Sequence, residues 1–167
     1  MDAQTQLFIL AKVAVAALFA GVIGAEREMA RKPAGFRTHM LLASAAALLV
    51  SVAAAFIEET ASATTGATLR PDPLRIVEAI VAGVAFLGAG TIIRSRGGNE
   101  VEGLTTAGSL LLVAAIGVTV ALELYLLAGL VTVLSLLILR LLHVLDRFFD
   151  RRAERHAAKH AGPGAEN

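Results

Sequence analysis

The chain contains no cysteine and no tryptophan, and aromatic residues make up only 5% of it. Without cysteine there are no disulfides, no thiolate metal sites and no thiol nucleophile. So few aromatics offer no stacking platform for single-stranded nucleic acid, and nucleic acid is not expected as a partner. Charge is also scarce. Charged side chains account for 17% of the 167 residues, against ~25% in an ordinary soluble domain. Apolar residues fill the space: 56% of the chain is hydrophobic and its mean hydropathy is +0.71. Five helical spans of about 20 residues fit this length. Little then remains for a separate soluble domain, which needs roughly 50 residues.

Five apolar stretches stand out, at 7–25, 40–57, 76–93, 104–122 and 124–142. Each is close to the ~20 residues that carry a helix across ~30 Å of hydrocarbon. A helix satisfies its own backbone hydrogen bonds in lipid, and the polar alternation of barrel strands is missing. The expected fold is therefore an all-α, polytopic membrane helical bundle. Residues 1–145 form the transmembrane domain and 146–167 a charged cytoplasmic tail. The opening of the chain is acidic, Lys12 interrupts the first apolar run, and a charged helical pattern continues past Ala25. These features argue for a retained span rather than a cleaved signal peptide. Lys12, two turns inside the outer end, is expected to extend toward the headgroups.

Basic residues set the expected orientation. Arg27, Arg31, Lys32 and Arg37 fall in 26–39, Arg94 and Arg96 in 94–103, and a further group lies from Arg140 onward. Of the 15 basic residues, only Lys12, Arg70 and Arg75 fall on the other side. Positive-inside reasoning gives an outside N-terminus and a cytoplasmic C-terminus. Asp72-Pro73 reads as an N-cap followed by proline at the first helical position. Glu123 leaves too little chain for a loop, so the fourth and fifth spans read as a tight helical hairpin or as one re-entrant segment. The tail from Asp146 reads as a solvated helix or as a surface drawn to anionic lipid.

Spans one and two echo spans three and four. Ala20-Gly21-Val22 is answered by Ala82-Gly83-Val84, and Gly35-Phe36-Arg37-Thr38 by Gly103-Leu104-Thr105-Thr106. This pattern suggests a parallel two-hairpin repeat about an axis along the membrane normal. Gly21, Gly24, Gly83, Gly88 and Gly90 read as helix-packing positions, since small residues allow backbones to approach closely in lipid. The rival reading is a broken helix at 83–90 with carbonyls free for an ion.

The charged motifs carry two readings each. Glu26-Arg27-Glu28 is either an interfacial anchor or an inner mouth with Glu26 buried against arginine. Glu28 and Lys32 have the spacing of a helical ion pair. Asp72, Arg75 and Glu78 share one helix face as an ion-pair ladder, or as carboxylates for a hydrated cation. Magnesium suits such a place, because it keeps several waters and takes one or two carboxylates. The magnesium-binding candidates are Asp72, Glu78 and Glu26. Asn99, Glu100, Glu102, Thr105 and Thr106 form a polar entry to the fourth span, with the two threonines as caps. His39 and His143 show no Ser–His–carboxylate arrangement and no zinc motif, so no enzyme is expected.

Several ordered blocks resemble the MgtC/SapB membrane family. They are Gly24-Ala-Glu-Arg-Glu28, Lys32-Pro-Ala-Gly-Phe-Arg-Thr-His39, Asp72-Pro-Leu-Arg-Ile76, Val81-Ala-Gly-Val-Ala-Phe-Leu-Gly-Ala-Gly-Thr-Ile-Ile-Arg94 and Val101-Glu-Gly-Leu-Thr-Thr-Ala-Gly-Ser109. The resemblance implies a bacterial inner-membrane protein linked to growth in low magnesium, acid tolerance and intramacrophage survival. It also implies restraint of the proton-translocating ATP synthase. The family's polar motifs fall on Glu26, Arg27, Arg37, Thr38, Asp72, Arg94, Asn99, Thr105 and Thr106. Many members carry a soluble regulatory domain after the last span and a tryptophan where this chain has Leu110-Leu111; some depend on a cysteine that is absent here.

Two functions follow from this reading. One is a non-catalytic regulator, a homodimer or larger, acting through helix contacts with a bigger complex such as ATP synthase. The other is a magnesium or proton conductor. Coupled transporters usually place an ionisable group near the midplane. Here the carboxylates sit at span ends, and the span centres offer hydroxyls such as Ser44, Ser51, Thr119 and Ser135.

Overall fold

A computed structural model describes residues 1–63, 72–94 and 101–141. The elements are α1 (Ala3–Met29), α2 (Phe36–Ala63), α3 (Leu74–Thr91), β1 (Ile93–Arg94), β2 (Val101–Glu102) and α4 (Leu104–Ala121), followed by α5 (Tyr125–Leu141). The fold is an all-α membrane helical bundle. α1 to α4 are each long and apolar enough to cross a membrane, and α5 is a shorter apolar helix. Their outward side chains are large and apolar, as Phe86, Leu41, Leu18 and Leu126 show. A surface of that kind matches hydrocarbon rather than water.

Helix ends are set by local chemistry. Asp2 caps α1 by accepting from the Thr5 N–H at 2.9 Å and the Thr5 hydroxyl at 2.6 Å. These hydrogen bonds hold the Asp2 carboxyl below its ordinary pKa. At its other end, α1 closes in a Schellman turn. The Arg31 N–H bonds the Glu28 carbonyl and the Lys32 N–H bonds the Arg27 carbonyl, with Arg31 left-handed at φ 54°. α4 closes in the same way, through Glu123 to Val120 and Leu124 to Thr119, with Glu123 at φ 64°. Glycine usually fills that position. Here a charged residue occupies it twice. The Asp72 carboxylate accepts from the Leu74 N–H at 2.9 Å, so it caps the start of α3, with Pro73 itself at the N-cap.

The connection between α3 and α4 is closed by a short antiparallel ribbon, Ile93 opposite Glu102 and Arg94 opposite Val101. It ends at Gly103, whose φ is +94° and where a Cβ would run into the Thr91 carbonyl oxygen. Only glycine fits there.

By contacts the chain divides into two units, Met1–Thr132 and Val133–Asn167. In the first, α1 packs on α2, α2 on α4, α3 on α4 and α1 on α4, while α2 and α3 scarcely touch. Ala46, Ile80, Val84, Leu110 and Ala114 lie in its core. The second is described over 133–141, where the chain is helical. The charged tail, His143 and Asn99 lie outside the described residues.

Candidate functional site

The polar residues of the first unit gather at two ends of the bundle. Where α1 ends, Glu26 and Arg27 are 7% and 3% exposed. The Arg27 guanidinium donates from Nε to Glu26 Oε2 at 2.6 Å and from Nη2 to Oε1 at 3.0 Å. This fork occupies both carboxylate oxygens, which satisfies a charge that low-dielectric burial would otherwise penalise. Beside it, Glu28 accepts the Phe36 N–H at 2.8 Å, so the last turn of α1 caps the start of α2. The expected Glu28–Lys32 helical pair does not form. The helix stops at Met29 and Lys32 follows the left-handed Arg31.

His39, on α2, is completely buried. Its Nδ1 lies 2.8 Å from the Gly35 carbonyl and its Nε2 3.1 Å from the Ser109 hydroxyl. A carbonyl only accepts, so Nδ1 carries a proton. The single Ser109 proton then faces two acceptors, His39 Nε2 and the Thr106 carbonyl at 2.8 Å. This chain of bonds joins α2 to α4. Thr106 is buried on α4, whereas Arg37, Thr38 and Thr105 are exposed. Neither threonine caps α4, because Gly103 is its N-cap and no side-chain cap bond is made. Arg94 lies in β1.

Lys12 departs from the expectation that it reaches the headgroups. Its ammonium donates to the Ala121 carbonyl at 3.1 Å, pairs with Glu123 at 2.9 Å, and lies 4.9 Å from the Phe8 ring centroid. The free carbonyls and negative dipole end of α4 attract a cation there. Sequence reading overlooked this contact. The signal was present in the sequence: an isolated lysine interrupts one apolar run and an isolated glutamate separates two others, and such charges normally find partners in membranes.

The three magnesium candidates do not form one group. Asp72 and Glu78 are exposed at the start of α3. Glu26, at the end of α1, is locked by Arg27. Among the described residues, no three His, Asp or Glu side chains gather as a metal site. Arg75 makes no ion pair with Asp72 or Glu78, so the expected ladder is not formed.

The glycines separate by environment. A Cβ at Gly24 would meet Phe36 Cα at 2.8 Å and His39 Cβ at 2.9 Å, and one at Gly21 would meet the Phe36 ring at 3.1 Å. Gly88 lies against Ala107, 3.3 Å from such a Cβ. Gly83 and Gly90 face open space, with nothing within 4 Å. Gly117, a position that carries no motif in the sequence, packs more tightly than any of these: a Cβ there would strike the Ala43 carbonyl oxygen. One glycine among many small residues carries no signal of that contact.

Comparison with known proteins places this arrangement. The MgtC family profile matches residues 13–148. An uncharacterized protein of Haemophilus influenzae is 32% identical over 92% of this chain and 63% of its own length. The Escherichia coli K12 protein named "Putative magnesium transporter YhiD" is 38% identical over 85% of this chain and 63% of its own length. Protein MgtC of Salmonella typhimurium is 40% identical over 62% of this chain and 38% of its own length. The chain thus spans just under two thirds of the length of the first two relatives. No solved structure matches it. Matched along most of its length, this multi-pass bacterial membrane protein belongs to the MgtC family.

Proposed function

We propose that the chain is a magnesium-linked protein of the bacterial inner membrane that acts as a non-catalytic regulator through helix contacts within the bilayer. In this reading the N-terminus is outside and the C-terminus cytoplasmic, the chain self-associates, and its larger partner is the membrane part of ATP synthase. The observation that carries the reading is the open apolar groove between α2 and α3, about 460 Å³, bordered by Leu42, Ala45, Ala79 and Gly83. Small residues around open space let another helix approach closely, which is what association in lipid requires. Two ionisable groups inside the first span are engaged, Glu26 by Arg27 and Lys12 by Glu123 of the turn after α4. Groups held in that way serve architecture more readily than proton or cation relay.

A second reading, magnesium or proton conduction, is favoured by the printed name of the relative YhiD. Purified protein in liposomes, with a magnesium indicator and a pH dye, tests both. Regulation predicts no flux, with ATP synthase membrane subunits co-purifying from native membranes. Flux that Asp72→Ala or Glu26→Gln abolishes would establish conduction instead.

A further inference from the structure

α2 and α3 each pack on α4 but scarcely touch one another. The space left between them is the open groove of about 460 Å³. Its inner wall belongs to the core, where Ala46, Ile80 and Val84 cluster with Leu110 and Ala114 of α4. Leu49 and Leu87, both exposed, form part of its rim. Among the described residues, Arg75 is the only polar one that lines it.

The groove therefore has a charged mouth and an apolar course. Arg75 sits in the first turn of α3, an 18-residue helix. Such a helix is about 27 Å long, close to the ~30 Å of hydrocarbon, so its first turn lies at headgroup depth. From Arg75 to Leu87 the groove follows α3 for about 18 Å. One leaflet is about 15 Å deep, half of the hydrocarbon core. Asp72 and Glu78 stand three residues to either side of Arg75 and are exposed. No ion pair joins these three side chains.

We propose that the groove binds an acyl chain of a zwitterionic phospholipid with a primary-amine headgroup, of the phosphatidylethanolamine type, seated at Arg75. The guanidinium takes the phosphate, a partner that arginine meets with paired hydrogen bonds. Asp72 and Glu78 take the ammonium. A purely anionic headgroup meets one cation but two like charges there, and a trimethylated amine has no N–H to donate. An apolar helix in the same place leaves all three charges unanswered. A helix that enters the groove must displace the lipid, so the lipid regulates access to the contact surface of the proposed function. The binding itself does not rest on that function, on the orientation of the chain or on ion passage.

The test uses the full chain in mild detergent, offered equal amounts of phosphatidylethanolamine, phosphatidylcholine and phosphatidylglycerol with identical acyl chains. Retained lipid is read by native mass spectrometry. The parent should retain phosphatidylethanolamine over the other two by about tenfold. Arg75→Gln should lower that retention about tenfold. Asp72→Asn combined with Glu78→Gln keeps the α3 cap, since asparagine caps as well as aspartate. It should erase the preference over phosphatidylcholine while lipid still binds. Gly83→Leu, placed in open space, should lower retention of all three lipids by filling the groove. Equal retention of the three by the parent, or a preference for phosphatidylglycerol, overturns the proposal. So does a preference that survives in the charge variants, or retention unchanged by Gly83→Leu, when melting curves show those variants folded. Co-purification of ATP synthase subunits is a separate readout, so failure of either reading leaves the other standing.

Discussion

At position 117 a single hydrogen separates α4 from the Ala43 carbonyl of α2. Replacing Gly117 by alanine places a methyl group on that oxygen, and overpacking of this kind typically costs ~1–3 kcal/mol. Gly117→Ala should therefore lower the melting temperature in detergent by circular dichroism, whereas Gly83→Ala, in open space, should leave it unchanged. The buried fork behaves differently. Removing one member strands the other charge, so Arg27→Ala should destabilise by about 3–5 kcal/mol, and replacing both Glu26 and Arg27 with leucine should recover much of that loss. A denaturation series in mild detergent checks the order; a double variant worse than the single would contradict it. Asp2 gives the pH prediction. Its carboxyl titrates below the ordinary value because the Thr5 hydroxyl and N–H bond its ionised form. The cap's contribution is then complete above the unfolded pKa and is lost as pH falls through the lowered one. The Thr5 amide shift should titrate with a midpoint below that of an unstructured aspartate; a midpoint at or above it would refute the cap.

At the scale of elements, two Schellman turns hold charged residues in the left-handed conformation, which costs a non-glycine residue roughly 1–2 kcal/mol. Their neighbours decide what substitution does. Arg31 makes no ion pair among the described residues, so Arg31→Gly should raise stability by about 1 kcal/mol. Glu123→Gly relieves the same strain but releases Lys12 inside the first span, so it should give no gain or a net loss. Thermal unfolding of the two variants side by side checks the contrast, and an equal gain in both would show that the Lys12–Glu123 contact contributes nothing. The two helical hairpins also show a shared detail. Gly24 faces His39, four residues after Gly35, and Gly88 faces Ala107, four residues after Gly103.

For the whole molecule, the proposed orientation and self-association are open to direct measurement. Reporter tags inserted in 26–39 and 94–103 should read the same compartment, and tags in opposite compartments would reject the assigned topology. Gly83→Leu has room within one copy. It should leave the melting curve intact while abolishing dimer cross-linking in membranes; cross-linking that persists would remove α3 from the interface.

Much of the architecture was legible because lipid is a severe solvent. It demands long apolar helices and tolerates charge mainly at their ends, so the four long apolar helices and the break at Glu123 before a shorter fifth could be read directly from residue order. The family, too, followed from blocks of contiguous letters. What the letters did not contain was which distant groups meet. Lys12 bonding the end of α4, His39 reaching Ser109 and Gly117 against Ala43 all join residues far apart in the chain. Spacing along one helix determines which face a side chain occupies. Only packing decides what stands opposite that face, because in lipid the choice rests on close contact and hydrogen bonding rather than on a hydrophobic drive.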